Sequence, residues 1–151
     1  MHSGKKVRRF ETSDATAVER LLHEAPQAAQ WSCAALVGAA RANTLLWVVE
    51  ATPSSEIVGV IAMRTAADEA EILNLAIAPE RRRERLGMLL VETGMAECSV
   101  AGARRVFLEV RESNETARAF YRCLGFVERG RRSKYYREPV EDAVVLWRES
   151  A

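Results

Sequence analysis

Four arginines crowd the turn between an apolar strand and a helix in this 151-residue chain, at Arg81, Arg82, Arg83 and Arg85. They lie within the segment ILNLAIAPERRRERLGM. The start of a helix carries partial positive charge and unpaired N–H groups, so it normally attracts acidic side chains. Arginines there repel the helix dipole unless an anion lies between them. The pattern favours a phosphate-binding turn, and on charge alone a solvated basic face explains it equally well.

Two further residues could move protons. Glu109 lies in the apolar segment RVFLEV, and Tyr121 follows in a segment with helical spacing of apolar residues. A strand glutamate can also pair with Arg105 or Arg111 at the surface, and the pattern alone favours that interpretation. The Tyr121 ring could likewise serve packing alone, although a buried hydroxyl still needs a polar partner.

The composition excludes several other kinds of site. The net charge is +1 and no apolar run reaches the roughly 20 residues of a membrane span, so neither bulk polyanion binding nor a membrane partner is expected. The three cysteines are far apart without a CxxC pair, and the two histidines have no metal-ligand spacing. We therefore expect no metal site, reduced thiols and a cytoplasmic protein.

Strands and helices alternate in an order that must position these residues. The patterning predicts strands at 7–10, 44–50, 57–64, 71–77, 105–110, 126–131 and 143–148. It predicts helices from Ser13 or Asp14 to Pro26, from Ser32 to about Arg41, from about 83–85 to 101, and from Ser113 or Asn114 to Leu124. This order predicts an α/β fold in which one mixed sheet has helices on both faces, with residues 1–151 forming a single domain.

Two aromatic sites have competing interpretations. Trp31 precedes the helix cap Ser32, and a packing role is favoured over ligand contact. A second basic run precedes Tyr135 and Tyr136, where basic and aromatic residues together can bind RNA. We favour a solvated edge strand or, with Glu141 and Asp142, a wall around a positively charged substrate, and we expect no direct nucleic-acid binding.

The order of elements, with ILNLAIAP, the Leu86-Gly87 turn, LEVRESNETARAFYRCLGF and a closing hairpin, resembles the GNAT N-acetyltransferases. More narrowly, the chain is similar to the RimI-type enzymes, which acetylate the N-terminal amine of a small-subunit ribosomal protein. This narrower resemblance depends on Trp31-Ser32, Glu109, Tyr121, and Arg132 with Tyr135-Tyr136 and Glu141-Asp142-Ala143. It implies a GNAT-like fold with a splay between two neighbouring parallel strands.

The resemblance also implies a set of site residues for acetyl-CoA and its acceptor. Glu109 would be the general base and Tyr121 the general acid. The cofactor would contact the backbone of Leu75, Ala76 and Ile77, the loop residues Arg83, Glu84, Arg85, Leu86, Gly87 and Met88, and Asn114. The acceptor, a peptide or protein N-terminus, would meet Trp31, Tyr135, Tyr136 and Asp142.

Arg85 departs from the family pattern, because the loop normally carries glycine at that position. Glycine permits a left-handed backbone and close approach to phosphate. Either Arg85 adopts a strained left-handed conformation that weakens phosphate binding, or it is nearly helical and turns its side chain outward. We expect the nearly helical conformation, with the guanidinium reaching a phosphate oxygen.

The chemistry favours an α-amine as acceptor. An amine must be neutral to attack a thioester, and an α-amino group has a pKa near 8 against about 10.4 for lysine. One carboxylate should then suffice as base. Because no Cys, Ser or His constellation suggests an acyl-enzyme, direct transfer in a ternary complex is the simpler mechanism. The alternatives are a small-molecule amine acetyltransferase and a degenerate, non-catalytic binding module.

Overall fold

One seven-stranded sheet organises the computed structural model, which describes residues 4–150. The strands are β1 (Gly4–Arg9), β2 (Thr44–Thr52), β3 (Ile57–Ala66), β4 (Glu69–Ile77), β5 (Arg105–Arg111), β6 (Val127–Arg137) and β7 (Val140–Glu149). Their order across the sheet is β1-β2-β3-β4-β5-β7-β6. Among the described residues, β4 and β5 are the one parallel pair and the other neighbouring strands are antiparallel, so the predicted mixed sheet is confirmed.

Four helices flank the sheet, and their order along the chain is the predicted one. They are α1 (Ala15–His23), α2 (Cys33–Arg41), α3 (Leu86–Val100) and α4 (Glu115–Cys123). Ser32 caps α2 and Asn114 caps α4, each accepting from a backbone N–H at 3.1 Å, as the N-cap preference predicts. Within residues 4–150, no helix is long and apolar enough to cross a membrane.

The core lies between the sheet and these helices. Leu22 of α1, Leu36 of α2 and Leu90 of α3 are at most 1% exposed and belong to one cluster of buried apolar residues. Helix α3 approaches the sheet closely at Gly94, where a Cβ would lie only 2.5 Å from the Met63 sulfur of β3. The glycine is therefore required by packing, which depends on close atomic fit.

The parallel pair β4/β5 is short. Glu69, Ala70 and Glu71 pair with residues 105–107, and the described pairing then stops although both strands continue. On its other edge β4 carries a bulge, since Ala62 faces Asn74 and Met63 faces Ile72, which leaves Leu73 as the extra residue. Bulges bend a strand and increase its twist. The predicted splay between two parallel strands is thus present.

The closing hairpin is longer than predicted. Strand β6 continues to Arg137 and β7 begins at Val140, whereas the pattern predicted a polar excursion between residues 131 and 143. The register shifts between Arg132 and Tyr136, and Lys134 has a left-handed backbone with φ of 50°. The Asp142 Oδ1 accepts from the Lys134 N–H at 2.9 Å. Side chains on both faces are exposed here, so no apolar alternation marks the strand.

A charged network ties β1 and β2 to the start of α1. The Arg8 guanidinium donates to both Asp14 carboxylate oxygens, at 2.8 and 2.9 Å, and to Glu50 at 2.7 Å. Asp14 is 8% exposed and also accepts from the Glu11 N–H. The hydrogen bond from Arg8 holds the pKa of Asp14 below its usual value, so the network stabilises the ionised form.

We predict that Asp14→Asn lowers the free energy of unfolding at pH 7 by about 1–3 kcal/mol, the range for hydrogen bonds to charged groups. Because the folded pKa of Asp14 is depressed, its contribution is present above the ordinary aspartate value of 3.8 and is lost as the pH falls through the folded value. Urea unfolding across this range measures the difference. Asp68→Asn is the control, since Asp68 is exposed and its side chain makes no hydrogen bond within residues 4–150. An equal loss in both variants would contradict the role of the network.

Candidate active site

A cavity of about 490 Å³ opens where β4 and β5 separate. Its walls come from five segments: the α1–α2 loop, β4, β5, α4 and the β6–β7 hairpin. Six residues predicted from the sequence line it, namely Leu75, Glu109, Asn114, Tyr121, Tyr135 and Tyr136. The splay therefore brings together side chains that are far apart in the sequence.

Glu109 lines this cavity, and one of its two carboxylate oxygens has no hydrogen-bond partner among the described residues. Its Oε1 accepts from Arg132 Nε at 2.8 Å, and the side chain is 8% exposed. Its Oε2 is buried and has no hydrogen-bond partner within the described part of the chain. The alternative interpretation, a surface pairing of Glu109 with Arg105 or Arg111, does not describe the structure, because the partner of Glu109 is Arg132 of β6. An unpartnered buried carboxylate oxygen is costly, which indicates that a donor group binds there.

Tyr121 both packs and borders the cavity. Its ring makes edge contacts with Phe120 at 4.9 Å and Phe126 at 5.3 Å between centroids. Burial raises the pKa of the Tyr121 hydroxyl well above its usual value, because burial disfavours the phenolate. The hydroxyl therefore stays protonated near neutral pH and is available as a donor.

The hairpin wall is fixed by Arg111. Its guanidinium lies 4.3 Å from the Tyr136 ring centroid and donates to the carbonyl oxygens of Glu138 and Pro139 at 3.1 and 3.0 Å. It also pairs with Glu141 at 3.2 Å. Glu141 additionally accepts from a backbone N–H of the β5–α4 turn. Both carboxylate oxygens of Glu141 are thus engaged within the protein, which argues against the alternative in which Glu141 and Asp142 together face a substrate.

Asn74 is a site residue that sequence reasoning missed. It is 7% exposed, donates to the Ala29 carbonyl at 2.9 Å and accepts from the Ala29 N–H at 3.2 Å. This reciprocal pair fastens the α1–α2 loop over β4, where both residues line the cavity. The sequence feature that could have identified it is that Asn74 is the single polar residue within ILNLAI, because a buried amide requires hydrogen-bond partners.

Trp31, Asp142, Ala76 and Ile77 lie outside the cavity lining. Trp31 packs against the core cluster, in agreement with the packing role favoured from the sequence. Asp142 holds the β6 bulge through Lys134. Their proposed contacts with ligands remain predictions.

The arginine-rich turn precedes α3, which begins at Leu86, so the expected start near 83–85 is slightly early. Arg85 is the N-cap with φ 61° and ψ 26°, a left-handed conformation. The expectation that Arg85 is nearly helical is therefore wrong. The turn needs the backbone that glycine adopts readily, and a side chain there costs on the order of 1 kcal/mol.

The turn nevertheless retains features that suit a phosphate. Arg82, Arg83 and Arg85 are exposed, and no salt bridge to any of them occurs among residues 4–150. Helix α3 has no acidic residue in its first turn. Glu84 is instead held by Lys5 at 3.5 Å and by Arg81 at 3.4 Å. The N–H groups at the helix start and the free guanidinium groups fit an anion.

Gly87 brings the start of α3 against α4. A Cβ at this position would lie 3.1 Å from the Phe120 ring, so a larger residue would require the ring to shift. The predicted phosphate turn is thereby held next to the helix that carries Tyr121.

Comparison with known proteins identifies the fold and its family. The model of the acetyltransferase (GNAT) family matches residues 7–126. The [ribosomal protein bS18]-alanine N-acetyltransferase of Escherichia coli K12 is 40% identical over 81 residues, which cover 52% of this chain and 55% of that protein. The corresponding Haemophilus influenzae enzyme is 36% identical over 96 residues, covering 62% and 65%. The chain thus spans about half the length of the first of these curated relatives.

Solved structures agree over nearly the whole chain. The crystal structure of the ribosomal-protein-S18-alanine N-acetyltransferase from Escherichia coli has a TM-score of 0.82 and 28% identity, and covers 98% of this chain and 95% of that one. Ard1 from Thermoplasma volcanium has a TM-score of 0.84 and 26% identity, covering 96% and 97%. The resemblance inferred from the motifs is confirmed. The chain belongs to the acetyltransferase (GNAT) family.

Proposed function

We propose that this protein transfers an acetyl group from acetyl-CoA to the N-terminal α-amine of a protein. The observation that carries the proposal is the buried, unpartnered Oε2 of Glu109, a residue that lines the cavity between β4 and β5. An acceptor N–H would satisfy this oxygen. The names of the relatives support a ribosomal protein as the acceptor.

Glu109 acts as the base in this proposal. Its Oε2 receives a proton from the acceptor amine, directly or through a water, while Arg132 holds Oε1. The α-amine is a suitable acceptor because its pKa lies near 8, so its proton is removed at a small free-energy cost at neutral pH. Tyr121 remains protonated near neutral pH and donates to the departing sulfur.

Residues on β4 and at the start of α3 hold the cosubstrate. Acetyl-CoA supplies an acetyl thioester, whose carbonyl carbon the neutral amine attacks. The backbone of Leu75, Ala76 and Ile77 would hold the pantetheine arm of the cosubstrate, and one of their N–H groups would stabilise the carbonyl oxygen. Residues 83–88 would hold its pyrophosphate, and Asn114, the cap of α4, would contact the cosubstrate.

Acceptor specificity is tested by thiol release with a short peptide that begins with Ala or Ser, compared with free diamines and aminoglycosides. We expect the peptide to be acetylated and the small amines to be unreactive. Turnover only with small amines would replace the protein acceptor by a small molecule. Absence of turnover together with absence of thermal stabilisation by coenzyme A would favour the non-catalytic module, because a ligand of the native state must raise stability.

Glu109→Gln should lower kcat at pH 7 by roughly a hundredfold or more, as expected for loss of a general base. Binding of acetyl-CoA should change little, and activity should partly recover at high pH, where more of the amine is neutral. Glu112→Gln is the matched control, since Glu112 is a half-exposed partner of Arg131 outside the cavity. A wild-type rate for Glu109→Gln at pH 7 would remove Glu109 from the mechanism.

Tyr121→Phe should slow turnover by about tenfold or more while changing the free energy of unfolding by only about 1 kcal/mol, because the ring contacts remain. Tyr121→Ala provides the contrast, since loss of a buried ring costs about 3–5 kcal/mol. Thermal unfolding and thiol release on the same samples separate the two effects. If Tyr121→Phe unfolds the protein, or leaves turnover unchanged, the acid role is wrong.

Arg85→Gly should change the affinity for acetyl-CoA by less than about tenfold, or ~1.4 kcal/mol. The left-handed backbone of Arg85 already matches the conformation of glycine, so the amides keep their positions while one guanidinium is lost. Arg85→Ala removes the same charge but keeps the backbone strain, and should be about 1 kcal/mol less stable than the glycine variant. Calorimetric titration with acetyl-CoA at two salt concentrations measures the affinity and its electrostatic part, and urea unfolding measures the difference in stability. A much larger gain in affinity with glycine would show that Arg85 obstructs the site.

A further inference from the structure

We propose that Glu71 is a specificity residue that selects an acceptor peptide with Lys or Arg directly after its N-terminal residue. The inference rests on the proposed function, since it assigns the substrate preference of the same cavity. Glu71 is not part of the motifs that carry the family resemblance. Its role follows from where β4 and β5 part.

Glu71 and Glu109 face the same side of the sheet at the point of separation. Glu71 is the last β4 residue paired with β5, and its partner is Phe107. Glu109 lies two residues beyond Phe107, so the period of a strand places it on the same face. Both carboxylates line the cavity. They are therefore diagonal neighbours on one face of the sheet, on either side of the point where the strands part.

The two carboxylates are held in the same way. Arg64 donates to Glu71 Oε1 at 2.7 Å, and Arg132 donates to Glu109 Oε1 at 2.8 Å. The glutamates are 19% and 8% exposed, whereas the arginines are about half exposed. No hydrogen bond to the second oxygen of Glu71 occurs between residues 4 and 150. Each arginine thus fixes one oxygen from the rim and leaves the other for a ligand.

The one cationic side chain in the lining is engaged elsewhere. Among the described residues that line the cavity, Arg111 is the one arginine, and its guanidinium is engaged by Glu141 and by two hairpin carbonyls. Burial, followed by the charge of Glu109 and a hydrogen bond to it and by the charge of Glu71, raises the pKa of the Tyr135 hydroxyl, while Arg132 lowers it. The second oxygen of Glu71 can therefore accept from a cationic ligand without competition from Arg111.

The second carboxylate has no use toward the reacting amine. Two acidic groups beside one amine would favour its charged form, and the charged amine cannot attack. Glu71 is useful only if another positive charge binds there while Glu109 serves the amine. In an acceptor peptide, the side chain of the second residue is the nearest group that can carry such a charge. A guanidinium or ammonium group there suits a carboxylate partner.

The test compares two peptides that differ only at the second position, Ala-Arg and Ala-Gln followed by the same sequence. Wild-type protein should show a kcat/KM at least about tenfold higher for the Arg peptide, and Glu71→Gln should reduce this ratio to within about twofold. The Gln peptide should react at the same rate with both proteins. Glu69→Gln is the matched control: Glu69 lies two residues earlier on the same face, pairs with Arg105 at 3.6 Å, and is outside the cavity.

A binding measurement separates this inference from the proposed reaction. The N-acetylated forms of the two peptides lack the charged amine, so their difference in affinity reports the second position alone. Wild type and Glu69→Gln should bind the acetylated Arg peptide at least about fivefold more tightly than the acetylated Gln peptide, and Glu71→Gln should not.

Equal affinities in wild type would overturn the role of Glu71, even if both peptides are acetylated. If Glu71→Gln weakens the binding of both peptides equally, Glu71 has a structural role and does not select the second residue. A diamine that outcompetes every peptide would assign the second charge to a small molecule and would also contradict the proposal. If the protein binds the acetylated Arg peptide more tightly than the acetylated Gln peptide but acetylates neither free peptide, the role of Glu71 is supported and the proposed acetyl transfer is refuted.

Discussion

The parting of two parallel strands is the constraint on which the site depends. After three residue pairs β4 and β5 no longer share hydrogen bonds, although backbone groups in a sheet interior normally must be paired. The gap exposes backbone donors and acceptors at the centre of the molecule, where an extended ligand can use them as a neighbouring strand would. The cavity, the free Glu109 oxygen and the proposed path of the pantetheine arm are consequences of that separation.

The surrounding elements support the gap without filling it. The bulge at Leu73 bends β4, the α1–α2 loop is fastened to Asn74, and the hairpin of β6 and β7 is braced by Arg111. Arginines on the rim hold one oxygen of each carboxylate. Ion pairs whose arginine is about half exposed add little net stability, so the main effect of these arginines is to fix the direction of the acidic groups.

Much of this arrangement was predictable from local patterns. Apolar periodicity and cap residues predicted the order of strands and helices, including Ser32 and Asn114 as caps. Three features were missed because they depend on contacts distant in sequence: the pairing of Arg132 with Glu109, the clip between Asn74 and Ala29, and the use of Glu141 inside the hairpin. The backbone of Arg85 was predicted wrongly. The cluster of arginines suggested a nearly helical residue whose side chain reaches a phosphate, whereas the geometry of the turn requires a left-handed backbone at this position.

The clip between Asn74 and Ala29 has a consequence for how the wall of the cavity opens. The Ala29 N–H bonds to a side chain and not to the sheet ladder, so it is released whenever the α1–α2 loop lifts, while the core stays intact. Amide hydrogens of this kind exchange through local opening and not through global unfolding. The exchange rate of the single Ala29 amide therefore measures the free energy with which the loop closes over the strand, and ligands that lie beneath the loop will slow it.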